Sequence, residues 1–366
     1  MKASLFCTTR YEGPSKKGVW PVPGDTFSGE IAQKSVQRTM SQMKLGDEVG
    51  FDYITFSEHH FAPFSMSPNP SVLASALSQV LRNAKIALLG PDIPILNPIR
   101  VAEEIAMLDT LSGGRMIVGL MRGSANEYVT YNINPSESRE RFEESLQLIR
   151  MAWTEPQPFG WHGKYYDFRS ISIWPRPSQK PHPKIYISTA SPEAGEFAAR
   201  HHLSAGFAFT TIQIASKAAE FYRQQANEYG WEPTPDDVIY RLSFHVAETD
   251  EQAIEELVSS GLGASTGLSM ANKAIAEAMV GSGYYGRDIE TQRARLLSRG
   301  EIRDRIENGQ LLAGSPETVL KQIVRVRDAI GAGILDLSLG AATLGDKTMR
   351  SIEMFGEKVL PRMREL

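Results

Sequence analysis

Cysteine is almost absent: the 366 residues include one, Cys7, inside the apolar run Ala3-Ser4-Leu5-Phe6-Cys7. One thiol cannot close an intrachain disulfide or build a cysteine-based zinc cage. Its expected role is that of a small core residue on a buried strand, with a catalytic thiol as the minority reading. Charge of one sign is also missing. Lys plus Arg is 39 and Asp plus Glu is 43, a net charge of −4. No basic stripe offers a nucleic-acid footprint, and no acidic tail offers a solvating segment. No apolar stretch is long enough to cross a bilayer, and the N-terminus lacks a signal-peptide h-region, so no membrane partner and a cytoplasmic location are expected. No repeat of solenoid length is visible.

What is present is a hydrophobic content of 42% arranged in short runs. That is ample for one large core, and barrels of this length commonly form one domain, here expected to span 1–366. Lys2–Cys7 has the continuous apolar character of a buried parallel strand. Tyr11–Glu30 follows, rich in Gly and Pro and containing Trp20-Pro21-Val22-Pro23-Gly24, which reads as a long loop. Strands are then predicted over 51–56, 85–89, 116–120, 184–188, 205–208, 238–247 and 334–339. Helices are predicted over 33–49, 71–82, 98–111, 136–153, 192–201, 214–229, 250–260, 315–330 and 346–363. Tyr165–Pro183 reads as an irregular Pro-rich excursion, and Gly261–Gln310 as an insertion with some helix. Eight strands alternating with helices point to an α/β fold, a (β/α)₈ TIM barrel with loop insertions. A doubly wound open sheet is the alternative, but its Gly-x-Gly-x-x-Gly turn does not follow the first strand.

In such a barrel the active site lies at the C-terminal ends of the strands. Those ends carry Ser57-Glu58-His59-His60-Phe61, then Leu89-Gly90-Pro91-Asp92 with Asn97 beyond it. Next come Arg122-Gly123-Ser124, and then Ser188-Thr189 with Ser191-Pro192-Glu193. Free N–H groups at a helix start, with Ser and Thr hydroxyls, suit an anion. The planar fork of Arg122 suits a phosphate. The bland alternative is that Ser191 caps its helix and Arg122 pairs with a carboxylate.

Glu58-His59-His60 admits three readings. Two histidines beside a carboxylate suggest a metal, but successive residues at a strand end point in different directions. The other histidines, such as His162, His201, His202 and His245, stand at no recognisable ligand spacing. No metal site is therefore assigned. An imidazole near its titration midpoint can shuttle a proton at neutral pH, the second reading. The third is structural, a histidine that hydrogen-bonds within the rim.

At these residues the chain resembles the bacterial luciferase-like flavin-dependent monooxygenases. The resemblance runs through Gly50-Phe51-Asp52, Ser57-Glu58-His59-His60-Phe61, Asn69-Pro70 and Asn97-Pro98-Ile99-Arg100. It continues through Leu108–Arg115, Gly119-Leu120-Met121-Arg122-Gly123, Ser138-Arg139, the Ser188–Glu193 turn and Gly314-Ser315-Pro316-Glu317. The resemblance implies reduced FMN as cofactor, reacting with O₂ to give a flavin C4a-peroxide that oxygenates a small organic substrate. It also implies a separate reductase that draws on NAD(P)H, since the chain has no nicotinamide fingerprint of its own, and a homodimer formed through the helices after strands two and three.

Residue by residue, Arg122, Arg139 and Ser191 match the family's phosphate-binding positions, with Ser188 and Thr189 on the same turn and Asn97 within a matching motif. Leu89 and Gly90 match the place where the family often has an unusual cis peptide beneath the flavin ring. Glu58 matches a position near that ring, and His59 the histidine expected to act as acid–base or to stabilise the peroxyflavin. Two departures stand out. Ala190-Ser191 replaces a Glu-Ser pair, and the Tyr11–Glu30 loop is longer than in luciferase. With Trp20 and Phe27 that loop is expected to roof a pocket for a hydrophobic substrate, and Gly261–Gln310 occupies the mobile-loop region. A deazaflavin-dependent oxidoreductase, a non-catalytic flavin-binding subunit and a metal-dependent barrel hydrolase are the competing readings.

Overall fold

The computed structural model describes residues 1–16, 19–208, 210–260, 301–339 and 345–366. The chain opens with β1 (Lys2–Phe6), α1 (Gly29–Glu48), β2 (Tyr53–Phe56), α2 (Pro70–Val80), β3 (Lys85–Asp92) and α3 (Pro98–Leu111). It continues with β4 (Met116–Met121), α4 (Ala125–Thr130), α5 (Ser138–Thr154), β5 (Phe159–His162), β6 (Asp167–Ile171), β7 (Ile185–Ser188) and α6 (Pro192–Arg200). Next are β8 (Ser204–Ala208), α7 (Ile212–Glu228), β9 (Val238–Val246) and α8 (Asp250–Ser259). The remaining described elements are α9 (Ile302–Glu307), β10 (Leu311–Gly314), α10 (Pro316–Ile330), β11 (Ile334–Leu339), α11 (Asp346–Met354) and α12 (Leu360–Met363).

Parallel pairing runs β1–β2–β3–β4–β7–β8–β9–β11 and returns to β1, a closed ring of eight strands. The chain is thus a (β/α)₈ barrel. β9 is long enough to serve two neighbours on one edge. Val238–Arg241 pairs with β8, and Ser243–Val246 pairs with β10. Outward positions such as Ala3, Leu5, Val118, Ile187 and Leu337 join the helices in the main core. Inward positions Tyr53, Ala87, Leu89, Ile117, Tyr186, Ile239 and Ile334 fill the barrel itself. At the N-terminal end the Tyr186 hydroxyl donates to the Asp236 carbonyl at 2.5 Å and Lys2 pairs with the Asp236 carboxylate, so that end is closed.

Local chemistry moves several boundaries. α1 starts at Gly29, before the expected Gln33, because the Ser28 hydroxyl accepts from Ile31 N and caps it. The excursion after α5 is more ordered than its prolines suggest, since β5 and β6 pair as an antiparallel hairpin. The expected terminal helix is broken by a π-helical stretch over Phe355–Val359. Of the Gly261–Gln310 segment, only the part from Glu301 onward is described, and it holds α9 before β10 begins. The rest of that predicted insertion lies outside the described residues.

Candidate active site

The end of β2 leads directly into Ser57-Glu58-His59-His60. His59 N donates to Ser67 O at 3.1 Å, which folds the following loop back over the strand end. Glu58 and His60 turn into the protein, with Glu58 Oε1 2.9 Å from His60 Nε2. The other Glu58 oxygen accepts from Asp92 N at 3.4 Å. This close approach of β2 and β3 requires glycine at position 90. A Cβ there would lie 2.5 Å from Glu58 N and 2.6 Å from Ser57 Cα, both backbone atoms. Gly90-Pro91 forms a bulge, for pairing with β4 passes from Leu89↔Gly119 to Asp92↔Met121. Neither peptide beside Gly90 is cis. Among the described residues the cis bonds are Trp20–Pro21, Trp174–Pro175 and Lys180–Pro181. The bulge redirects the chain there.

His59 alone of the two imidazoles keeps access to solvent, its side chain 22% exposed. Its Nδ1 lies 3.3 Å from Glu127 Oε1, and the Glu127 side chain is buried. Glu127 sits on α4, just after the Arg122-Gly123-Ser124 turn, and Oε2 of the same carboxylate is 3.9 Å from His60 Nε2. Sequence reading missed Glu127. The available signal was its place in the segment after β4, where any carboxylate is a rim candidate, but spacing alone does not fold it back onto β2. The His59 ring also packs against Phe64, and the His60 ring meets Tyr131 edge-on at 5.1 Å.

Three carboxylates in one buried cluster repel one another. Burial, with Glu58 and Glu127 nearby, holds the Asp92 carboxyl well above the usual carboxylate range. Burial also raises Glu58, opposed by its hydrogen bond to His60. Tyr131 is raised by burial and by the same two glutamates. Among the described residues, no group of three or more His, Cys, Asp or Glu side chains has the arrangement of a metal site.

The other candidates divide. Arg139, on the first turn of α5, is exposed and lines an open cavity of about 360 Å³ with Pro192 and Glu193 of the α6 start. Ser191 caps α6 through its hydroxyl, which accepts from Ala194 N at 3.3 Å. Arg122 follows β4 at the same end of the barrel, its carbonyl accepting from the Tyr128 hydroxyl. Ser188 is exposed at the inward-facing end of β7. Thr189 is instead fully buried, with its hydroxyl donating to Gly206 O at 3.4 Å. Asn97 caps α3, its side chain accepting from Ile99 N and Arg100 N, and stands beyond a 3₁₀ turn from the strand end. Leu89 faces the barrel interior.

Around the same mouth, buried polar atoms lack hydrogen-bond partners among the described residues. They are the hydroxyls of Thr9, Ser57, Ser67 and Thr210 and the indole N–H of Trp20. Buried polar groups are ordinarily paired, so such a concentration marks a place prepared for solvent or ligand. The long loop after β1 packs on it. Trp20 lies 6.0 Å from Phe61, and Val22 N donates to Phe61 O. Phe27 stacks instead on Tyr11 and is largely exposed, so of the two expected roof aromatics only Trp20 abuts the β2 loop.

A family model for luciferase-like monooxygenases matches residues 1–332. This chain belongs to that family. Among its curated relatives, the alkanal monooxygenase alpha chain of Photorhabdus laumondii is 22% identical over 92% of this chain and 95% of its own. The oxygenase component of the flavin-dependent trigonelline monooxygenase of Acinetobacter baylyi is 26% identical, but the match spans only 48% of this chain and 50% of that one. For several of the best-matching curated relatives, the chain spans about half their length. The oxygenating constituent of 3,6-diketocamphane monooxygenase of Pseudomonas putida, solved with FMN, superposes with a TM-score of 0.76 at 20% identity, covering 99% of this chain and 98% of that one. A protein of low sequence identity thus shares the barrel.

Proposed function

We propose that this protein is an FMN-dependent monooxygenase. In this reading it takes reduced FMN from a separate NAD(P)H-consuming reductase and uses O₂ to oxygenate a small hydrophobic organic molecule. The observation that carries it is the solvent-reaching His59 imidazole, backed by a buried carboxylate, at the mouth of a luciferase-like barrel. The residues present fit the cofactor. Arg139 beside the start of α6 offers a guanidinium to a phosphate, in a cavity it shares with Arg200, Glu143, Glu193 and Glu196. Exposed Ser188, the small Gly206 and Ala208, and the unpartnered hydroxyls offer polar contacts and room for a flat ring.

Reduced flavin supplies the electrons that activate dioxygen. The chain's own residues do the rest. Arg139 and Arg122, with the Ser191 hydroxyl, hold the phosphate end. Glu127 accepts a hydrogen bond from His59 Nδ1–H, which leaves His59 Nε2 to hold or move a proton at the reacting face. The buried Glu58–His60 pair anchors the loop that carries His59. Trp20 and Phe61 exclude water from that side, protecting a reactive oxygen species. Exposed Val72 and Val80 on α2 and Met107 and Leu111 on α3 form the apolar face through which two copies pair, checked by sedimentation of Met107→Glu.

The test is a titration of the folded protein with FMN in both redox states, followed by mixing of the reduced complex with O₂. Binding of the reduced form and hydrogen peroxide release slower than from free reduced FMN are expected. A folded protein that binds neither redox state sinks the reading, and binding of a deazaflavin alone redirects it.

A further inference from the structure

Inside the barrel the strands carry one charged pair that the reading above does not use. Arg241 of β9 donates from Nε to Asp336 Oδ2 of β11 at 2.5 Å, and Asp336 Oδ1 accepts from the Ser4 hydroxyl at 2.6 Å. Asp336 is fully buried, so its charge is balanced by that guanidinium. The guanidinium carbon sits 3.6 Å from the centre of the Phe6 ring, at the C-terminal end of β1, which fixes the plane of the fork. Beyond Nε, Arg241 makes no hydrogen bond or ion pair to any described residue, and its side chain remains 12% exposed. The opening lies towards the mouth, because Arg241 is paired in register with Ala208, the exposed last residue of β8.

A guanidinium has donors only, and with Nε taken the remaining edge presents parallel N–H groups from its two terminal nitrogens. Such an edge matches the two oxygens of a planar carboxylate. The Phe6 ring against the guanidinium is apolar, and the inward-facing cluster of the barrel adds Leu89 of β3 and Met121 of β4. We propose that Arg241 is a substrate-binding residue and that the substrate is an organic acid, its carboxylate seated on the outer edge of Arg241 and its apolar body against these apolar side chains. Asp336 and Ser4 are positioning residues, holding Arg241 from behind. The assignment rests on the mouth being the substrate site of the proposed oxygenase. A flavin ring carbonyl is the other source of a planar oxygen acceptor, and the experiment separates the two.

Benzoate, with benzyl alcohol as its uncharged counterpart, is titrated into the full chain with and without FMN, and FMN affinity is measured separately. Wild type is compared with Arg241→Met and Arg241→Lys. The lysine variant keeps a charge for Asp336 but removes the planar edge, so it carries the test if the methionine variant does not fold. Benzoate affinity is expected to fall roughly 10- to 100-fold in Arg241→Met and by less in Arg241→Lys. Benzyl alcohol and FMN affinities are expected to stay within about twofold of wild type. Equal benzoate affinity in wild type and both variants overturns the assignment, as does a loss of FMN affinity with benzoate unchanged. A wild type that ignores FMN but still holds benzoate through Arg241 would sink the flavin reading and, with it, the substrate assignment, leaving Arg241 as a carboxylate-binding residue only.

Discussion

Glu127 Oε1 lies 3.3 Å from Nδ1 of His59, although 68 positions separate the two in the chain. Of the two neutral imidazole tautomers, a buried carboxylate at that nitrogen favours the one with the proton on Nδ1, so that Nε2 is the nitrogen left to accept a hydrogen bond. Nitrogen-15 NMR of labelled histidines should show that tautomer for His59 in wild type and its loss in Glu127→Ala. Glu127→Gln, which keeps an acceptor oxygen, should retain it. Hydrogen peroxide release from the reduced FMN complex in O₂ should quicken by about 10- to 100-fold in Glu127→Ala and by less in Glu127→Gln. An Nε2-protonated His59 in the wild type would contradict the arrangement.

Asp92 gives a pH dependence whose sign follows from its raised pKa. In the unfolded chain its carboxyl loses its proton near pH 4 or about that. The fold retains the proton to higher pH, so stability falls as pH climbs from there through the raised folded value. Asp92→Asn removes the slope. The Tm of the variant minus that of wild type is expected to grow between about pH 4 and pH 8. Parallel Tm curves would show that Asp92 titrates alike in both states.

At Gly90 the neighbours of a new methyl group are backbone atoms of Ser57 and Glu58, which cannot swing aside. Gly90→Ala should therefore lower stability in urea by about 1–3 kcal/mol. It should also loosen the loop that carries His59, with weaker FMN binding. Gly24→Ala, whose Cβ meets nothing within 4 Å, is the control and should stay within about 0.5 kcal/mol of wild type.

Arg139 distinguishes phosphate recognition from ring recognition. Arg139→Ala should weaken FMN binding roughly 10- to 100-fold while leaving riboflavin, which lacks the phosphate, almost unchanged. Equal losses for both ligands would mean that Arg139 shapes the site without gripping the phosphate.

Much of the scaffold could be read from the chain alone. Short apolar runs, each followed by a capped amphipathic stretch, specify parallel strands with crossover helices, because period and cap are local properties. The same rule placed Glu58, His59, Arg122 and Ser188 at one end of the barrel, since every parallel strand ends there. Whether a hydroxyl faces the mouth is less local. Ser188 ends β7 exposed, whereas Thr189, one residue on, is spent on Gly206 of the neighbouring strand.

By itself the sequence determined the alternation of elements, the closing number of strands and the rim on which chemistry had to lie. Tertiary structure decided the partners: that Glu127 folds back to His59, that Asp92 is squeezed among carboxylates, and that Arg241 leans on Phe6 with Asp336 behind it. Periodicity records which face a side chain takes within its own element. Distances between elements arise only when the ring closes and the loops pack across it, and proton positions and ligand selectivity depend on those distances.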